Sequence, residues 1–261
     1  MRFRRAFSVR SWRRRTWAIL ALAIVTSSFA GFAAIPYYLP FDESRFVIQK
    51  DAVPVAYTPA PIPTVVPGSV YTFYDGDHGR KGTSGTIAQL AGTCQSDYRL
   101  EPTPCLAKAF GGQGGSAFAE VGKKFVAGGT GYVMISAWGH IRGVVIISGL
   151  GWAKLRFVIK ITDLTNNVDI YYDEFRTLYR TVLGQDNVDE NFTKGTDRAY
   201  LITGHTYVVI VAVSAESVGA SSYMAGMADA LSTYGGQQYG IWYNGITITR
   251  TPLGGGPGRP K

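Results

Sequence analysis

The sequence is poor in the residues that most enzyme chemistry needs. Its 261 positions hold two cysteines and three histidines, and charged residues make up 17% of the chain. Three histidines are too few for most metal or acid–base constellations, and neither cysteine has the close Cys or His neighbour that a zinc site requires. The glycine-rich stretch after Phe110 lacks the Lys-Ser or Lys-Thr before a helix that a phosphate cradle needs. "GTSGT", residues 82–86, misses the nucleophile elbow because its second glycine comes one residue early. No segment repeats at a fixed period, which argues against propellers and solenoids. No catalytic residue and no bound cofactor is therefore assigned.

Acids are absent at the start: the first is Asp42, whereas Arg2, Arg4, Arg5, Arg10, Arg13, Arg14 and Arg15 all precede it. From Gly68 to Thr251, fifteen Lys or Arg face fifteen Asp or Glu, so the net charge of +8 does not belong to the central region. Without a basic face, nucleic acid is excluded as a partner.

Residues 1–15 form a basic, cytoplasmic leader, and residues 16–41 carry no charge at all. A run of that length behind an arginine cluster follows the positive-inside pattern. It is expected to be an N-terminal hydrophobic helix, either a transmembrane anchor or a signal segment. Trp12 and Trp17 on one side and Tyr37 and Tyr38 on the other match interfacial aromatic belts, which favours the anchor. Ser28-Phe29-Ala30 offers small residues for cleavage near Ala30, and secretion is the alternative. Either way the C-terminal part faces away from the cytoplasm.

Residues 42–68 contain five of the twelve prolines and are expected to form an extended stalk, at about 3.1 Å per residue where polyproline II holds. Residues 252–261, rich in Gly and Pro, have little to bury and are expected to be a disordered tail. Between them, residues 69–251 show period-two patterning. In "WAKLRFVIKIT", Leu155, Phe157, Ile159 and Ile161 alternate with Lys154, Arg156 and Lys160, the pattern of a strand with one wet face. "DLTNN" then marks a hairpin turn into "VDIYYDEF". "GYVMISAW", "RGVVIIS" and "HTYVVIVAVSAES" are apolar at both parities and suit central strands covered on both faces. The one helical candidate is residues 221–234, where Met224, Met227, Ala228 and Leu231 recur at helical spacing. The expectation is all-β: a single β-sandwich of about eight to nine strands, jelly-roll or immunoglobulin-like.

Cys94 and Cys105 have ten residues between them in a segment placed outside the cytoplasm, and a disulfide pinning a surface loop is expected. Asp75 and Asp77, in "YDGDHGRKG", and Asp186 and Asp189, in "QDNVDENFT", are weak candidates for Ca²⁺. Solvated turns are the competing reading of both clusters. Asn191 opens a glycosylation sequon on an expected loop. His140, beside Trp138, reads as a strand bend, with a ligand-binding edge as the other reading. Tyr171, Tyr172, Tyr234, Tyr239, Trp242 and Tyr243 could stack on sugars, though alternation sends half of them to the core.

These features add up to a non-enzymatic protein at the cell surface, with a role in adhesion, envelope structure or assembly. Its partners would be the membrane through residues 16–41, envelope components, glycans or copies of itself. The alternatives are a carbohydrate-binding module and a hydrolase using paired carboxylates, which would need two acids about 5–10 Å apart.

Overall fold

The structure is a computed structural model that describes residues 61–84, 93–100, 104–112, 114–219, 226–234 and 236–250, with the backbone of 47–49. Residues 1–41 and the tail at 252–261 lie outside the described residues, and with them the leader, the hydrophobic segment and the tail. Among the described residues, no helix is long and apolar enough to cross a membrane.

The described residues are all-β and build two packed antiparallel sheets. Among the described residues there are sixteen strands, numbered along the chain, ten of them seven residues or longer, more than the sequence patterning counts. The first sheet runs β1 (Val47–Gln49), β4 (His78–Ser84), β7 (Ser116–Ala127), β12 (Thr206–Gly219), β9 (Gly151–Asp163) and β10 (Val168–Arg180), with β2 (Thr64–Val65) parallel to β7. The second runs β11 (Gly184–Leu201), β8 (Gly131–Ile147), β13 (Gly226–Ala230), β6 (Cys105–Gly112), β16 (Gly240–Arg250) and β3 (Tyr71–Phe73). β5 (Thr93–Arg99) adds to β6, and β16 also pairs directly with β8. A two-stranded ribbon, β14 (Thr233–Tyr234) with β15 (Gln237–Gln238), lies between β13 and β16 in the chain.

One face of each sheet turns inward. Leu155, Phe157, Ile159 and Ile161 of β9 and Val209, Val211 and Val213 of β12 join Val133, Ile135 and Ile141 of β8 and Ile241, Ile246 and Ile248 of β16 in a single buried cluster. Each such side chain, fully buried, contributes about 1.5–3 kcal/mol. The "DLTNN" turn forms as the sequence implies. Asp163 Oδ1 accepts hydrogen bonds from the backbone N–H groups of Thr165 (2.9 Å) and Asn166 (3.2 Å), and Asn167 takes the left-handed conformation at φ 54°.

Several expectations are corrected. "GYVMISAW" and "RGVVIIS" are parts of one strand, β8, with one face half exposed rather than covered on both sides. Residues 226–230 form β13 between β8 and β6 instead of a helix, because Met227 and Ala228 fill a ladder position that Ile146 and Val145 leave open; Met224 lies outside the described residues. The charged face of β9 is not wet: Lys154, Arg156 and Lys160 are nearly fully buried. Finally, part of the proline-rich stretch belongs to the sheets. Thr64–Val65 pairs with β7, with Val65 in the core, and Val47–Gln49 pairs with β4.

Candidate functional site

Along β8 the odd residues Val133, Ile135, Ala137 and Ile141 enter the core, and the even residues from Tyr132 to Arg142 stay at least partly exposed. Two glycines keep this strand unbroken. At Gly139 a Cβ would stand 1.8 Å from the Trp242 carbonyl oxygen, and at Gly143 it would meet Leu155 Cδ2 at 2.4 Å. Both therefore stand where a neighbour comes too close for a side chain, not where the chain turns.

On the outer face, Trp138 lies opposite Gly245 of β16 and Thr193 of β11. Its six-membered ring lies over the glycine: a Cβ on Gly245 would stand 2.7 Å from Trp138 Cζ2. The exposed Tyr74, just after β3, meets the indole edge-on at 6.0 Å.

One step along β8, His140 lies between Asn191 and Trp242 in the strand register. Its Nδ1 is 2.9 Å from Asn191 Oδ1 and its Nε2 is 2.7 Å from Asp189 Oδ1. Its ring centroid is 5.4 Å from that of Trp242. Arg142 donates Nε to Asp189 Oδ2 (2.9 Å) and Nη2 to Oδ1 (3.1 Å), a bidentate pair, while its guanidinium sits 5.8 Å from the Trp242 ring. The hydrogen bonds from Arg142 hold the Asp189 carboxyl below the usual carboxylate range against a burial penalty, with His140 assisting. The patch thus has two indoles, amide, imidazole and carboxylate edges, and an arginine whose charge is met. Such a surface can stack on the C–H face of a sugar ring and exchange hydrogen bonds with its hydroxyls.

The outer face of the first sheet is chemically different. Glu120, fully buried on β7, lies 2.8 Å from His78 Nε2, 2.5 Å from Arg80 Nε and 3.2 Å from Lys160 Nζ. Burial alone would raise its pKa; His78, Lys160 and Arg80 outweigh that and hold the carboxyl well below the usual range. Further along, Arg156 Nη2 is 3.2 Å from Glu216 Oε1, and its Nε is 3.9 Å from Glu174 Oε2. Burial and the Arg156 cation lower the pKa of Lys154, with Glu174 and Glu216 opposing. Glu174 and Glu216 thus share Arg156 as an ion-pair partner.

The sequence-derived candidates scatter. Among the described residues no Cys94–Cys105 disulfide is present, and the Cys105 Sγ lies 2.8 Å from the Leu100 carbonyl oxygen. "CQSDYR" is strand β5, which places Cys94 opposite Gly111, six residues from Cys105 along β6. At about 3.3 Å per residue the two Cα atoms are roughly 20 Å apart, against a bridging limit of about 6.8 Å.

The four Ca²⁺ candidates all meet side-chain cations. Lys123 Nζ lies 2.5 Å from Asp75 and 3.2 Å from Asp77, Arg180 lies 2.5 Å from Asp186, and Asp189 is held by Arg142. Among the described residues no group of three or more His, Cys, Asp or Glu could hold a metal ion.

Asn191 is exposed on strand β11 rather than on a loop, beside His140. Of the aromatics, Tyr243 is buried, Tyr171 packs against the core, Tyr172 is exposed and Tyr239 half-buried. The side chain of Tyr234 lies outside the described residues. Sequence reasoning singled out His140, Asp189 and Trp242 separately. It missed Arg142 as their partner, because "GHIRG" reads as a corner.

No family model matches the chain, and no curated protein sequence does. Among solved structures the chain is similar to the enzymatically active domain of tailspike protein 4 of bacteriophage CBA120, at 10% identity and a TM-score of 0.22. That match covers 65% of this chain and 19% of the tailspike chain, so this protein spans about a fifth of its length. It is also similar to a family 61 carbohydrate-binding module in complex with β-1,4-galactotriose, at 10% identity and a TM-score of 0.21, covering 64% of this chain and 91% of that one. A third likeness is to a family 11 carbohydrate-binding module from Clostridium thermocellum in complex with a β-1,3-1,4-mixed-linked tetrasaccharide, at 8% identity and a TM-score of 0.23, covering 66% and 89%.

Proposed function

We propose that this protein is a non-enzymatic glycan-binding protein, exported or held at the membrane by residues 16–41, whose β-sandwich contacts sugars through the outer face of the second sheet. The observation that carries this reading is the platform of Trp138, His140 and Trp242 beside the bidentate Arg142–Asp189 pair. The arginine charge is met inside the protein, so a neutral, polyhydroxylated ligand fits better than an anionic one. Hydrogen-bonding groups that are already fixed by one another lose little side-chain entropy on binding. Adhesion to surface or envelope glycans follows from this chemistry without a catalytic step.

Purified full-length protein applied to an array of neutral and acidic polysaccharides, with and without Ca²⁺, tests the reading. Binding to neutral glycans, reduced about tenfold or more by Trp242→Ala, supports it. No bound glycan in either condition, with the fold confirmed by circular dichroism, rules it out. Sequencing the N-terminus of the native protein tests the anchor: an intact chain in the membrane fraction supports tethering, and a chain starting near Gly31 supports secretion.

A further inference from the structure

The platform does not end at Trp138. Six residues upstream on the same face of β8 is Tyr132, opposite Tyr200 of β11. Their ring centroids are 4.9 Å apart at an interplanar angle of 55°, and both rings are about half exposed, at 47% and 48%. The Arg198 guanidinium covers part of Tyr132, 4.4 Å from its centroid. Strand geometry puts Tyr132 about 20 Å from Trp138 and about 26 Å from His140.

Between these two aromatic stations the same face of β8 carries Met134, half-buried opposite Thr249 of β16, and then Ser136. Ser136 lies opposite Gly195 of β11 on one side and Thr247 of β16 on the other. At Gly195 a Cβ would meet the Ile135 carbonyl oxygen at 1.9 Å, so nothing larger than glycine fits there. Next to Trp138 the floor is thus low, and Met134, an unbranched apolar side chain, lies between it and Tyr132/Tyr200 along the same strand axis.

We infer that the ligand is a linear, neutral polysaccharide lying parallel to β8 and engaging both stations at once. The inference rests on the glycan-binding reading and names the ligand class for that face. A single sugar touches one station only. Two stations on one axis, with Met134 and Ser136 and no further ring on β8 between them, suit an extended chain with stacking rings at both ends. Linking the two contacts makes the second intramolecular, so affinity rises steeply once a chain is long enough to span them.

The probe is a size-fractionated partial hydrolysate, disaccharide to decasaccharide, of the neutral polysaccharide that binds best on the array. Each fraction is titrated calorimetrically into full-length wild type and into the Tyr132→Ala/Tyr200→Ala double variant. Both tyrosines are half exposed, so the variant is expected to fold, and circular dichroism checks this. The wild type should bind chains spanning about 20 Å on the order of a hundredfold more tightly than short ones. In the double variant that long-to-short ratio should collapse towards one. Binding without length dependence, or a long-to-short ratio unchanged in the variant, overturns the inference and leaves the glycan reading standing. No binding by any fraction overturns both.

Discussion

Replacing Glu120 with alanine probes the charged face of the first sheet most sharply. Its carboxylate is fully buried and shared by His78, Arg80 and Lys160, whose side chains are 13%, 30% and 7% exposed. Removing one partner of a buried ion pair costs about 3–5 kcal/mol, because the remaining charge loses its compensation in a poorly solvated place. Arg80 is close enough to solvent that its share is worth at most about 1 kcal/mol. Lys160 therefore dominates, and a loss of about 3 kcal/mol is expected. For a domain of this size that is a fall in Tm of about 6–12 °C. Urea unfolding of wild type and variant followed by circular dichroism reads the loss directly, with the m-value unchanged.

The acid side gives a second readout. The folded Glu120 pKa is depressed, so the unfolded chain takes up its proton first as pH falls through the ordinary value of 4.5. Its stabilisation is thus complete above that value, declines below it, and is gone only under the much lower folded pKa. Glu120→Gln should flatten this acid limb. A loss under about 1 kcal/mol, or an unchanged acid limb, would refute the buried-charge account.

Other consequences follow from the same geometry. Peptide mapping of the unreduced protein should find no Cys94–Cys105 bridge, and a reductant should leave Tm unchanged; a Cys94–Cys105 bridge would contradict the β5–β6 register. Asp163→Ala removes the carboxylate that caps the β9–β10 turn and lies 2.8 Å from His205 Nδ1, and should cost about 1–3 kcal/mol in thermal unfolding. The Asp163 pKa is held down by His205 and the backbone N–H groups of Asn166 and Thr165 against burial, so its contribution too is present above the unfolded pKa and is lost on acidification. Gly245→Val should displace Trp138 and crowd the Phe73 carbonyl, costing about 1–3 kcal/mol and weakening glycan binding together.

Much of the architecture was legible where alternation is clean. β9 shows its core face in Leu155, Phe157, Ile159 and Ile161, and the Asp-Asn turn after it declares the hairpin. The state of its other face was not legible: lysine and arginine usually mark water, and only the folded sheet shows that Glu174 of β10, Glu216 of β12 and, one strand further, Glu120 of β7 meet them. β5 was hidden because its inward residues are Cys94, Ser96 and Tyr98, too small or too polar to read as an apolar face. β13 was misread for a related reason: five residues with alanine and methionine carry no preference strong enough to oppose a ladder position waiting between two strands. The candidate site was half legible. Trp138, His140 and Trp242 stood out as residues, but the segment around His140 read as a strand bend. Gly139 and Gly143 answer instead to close approach, of the Trp242 backbone on the paired strand β16 at Gly139 and of Leu155 on the facing sheet at Gly143, which exists only once strands pair and sheets pack.

Covalent carbene footprinting of the full-length protein, with and without the array-positive polysaccharide, tests the central claim most directly. The account predicts protection concentrated at Trp138, Trp242 and His140, extending to Tyr132 and Tyr200 for long chains, with Tyr172 on β10 unprotected. Protection at Tyr172 or elsewhere, with the β8 face still labelled, would contradict it.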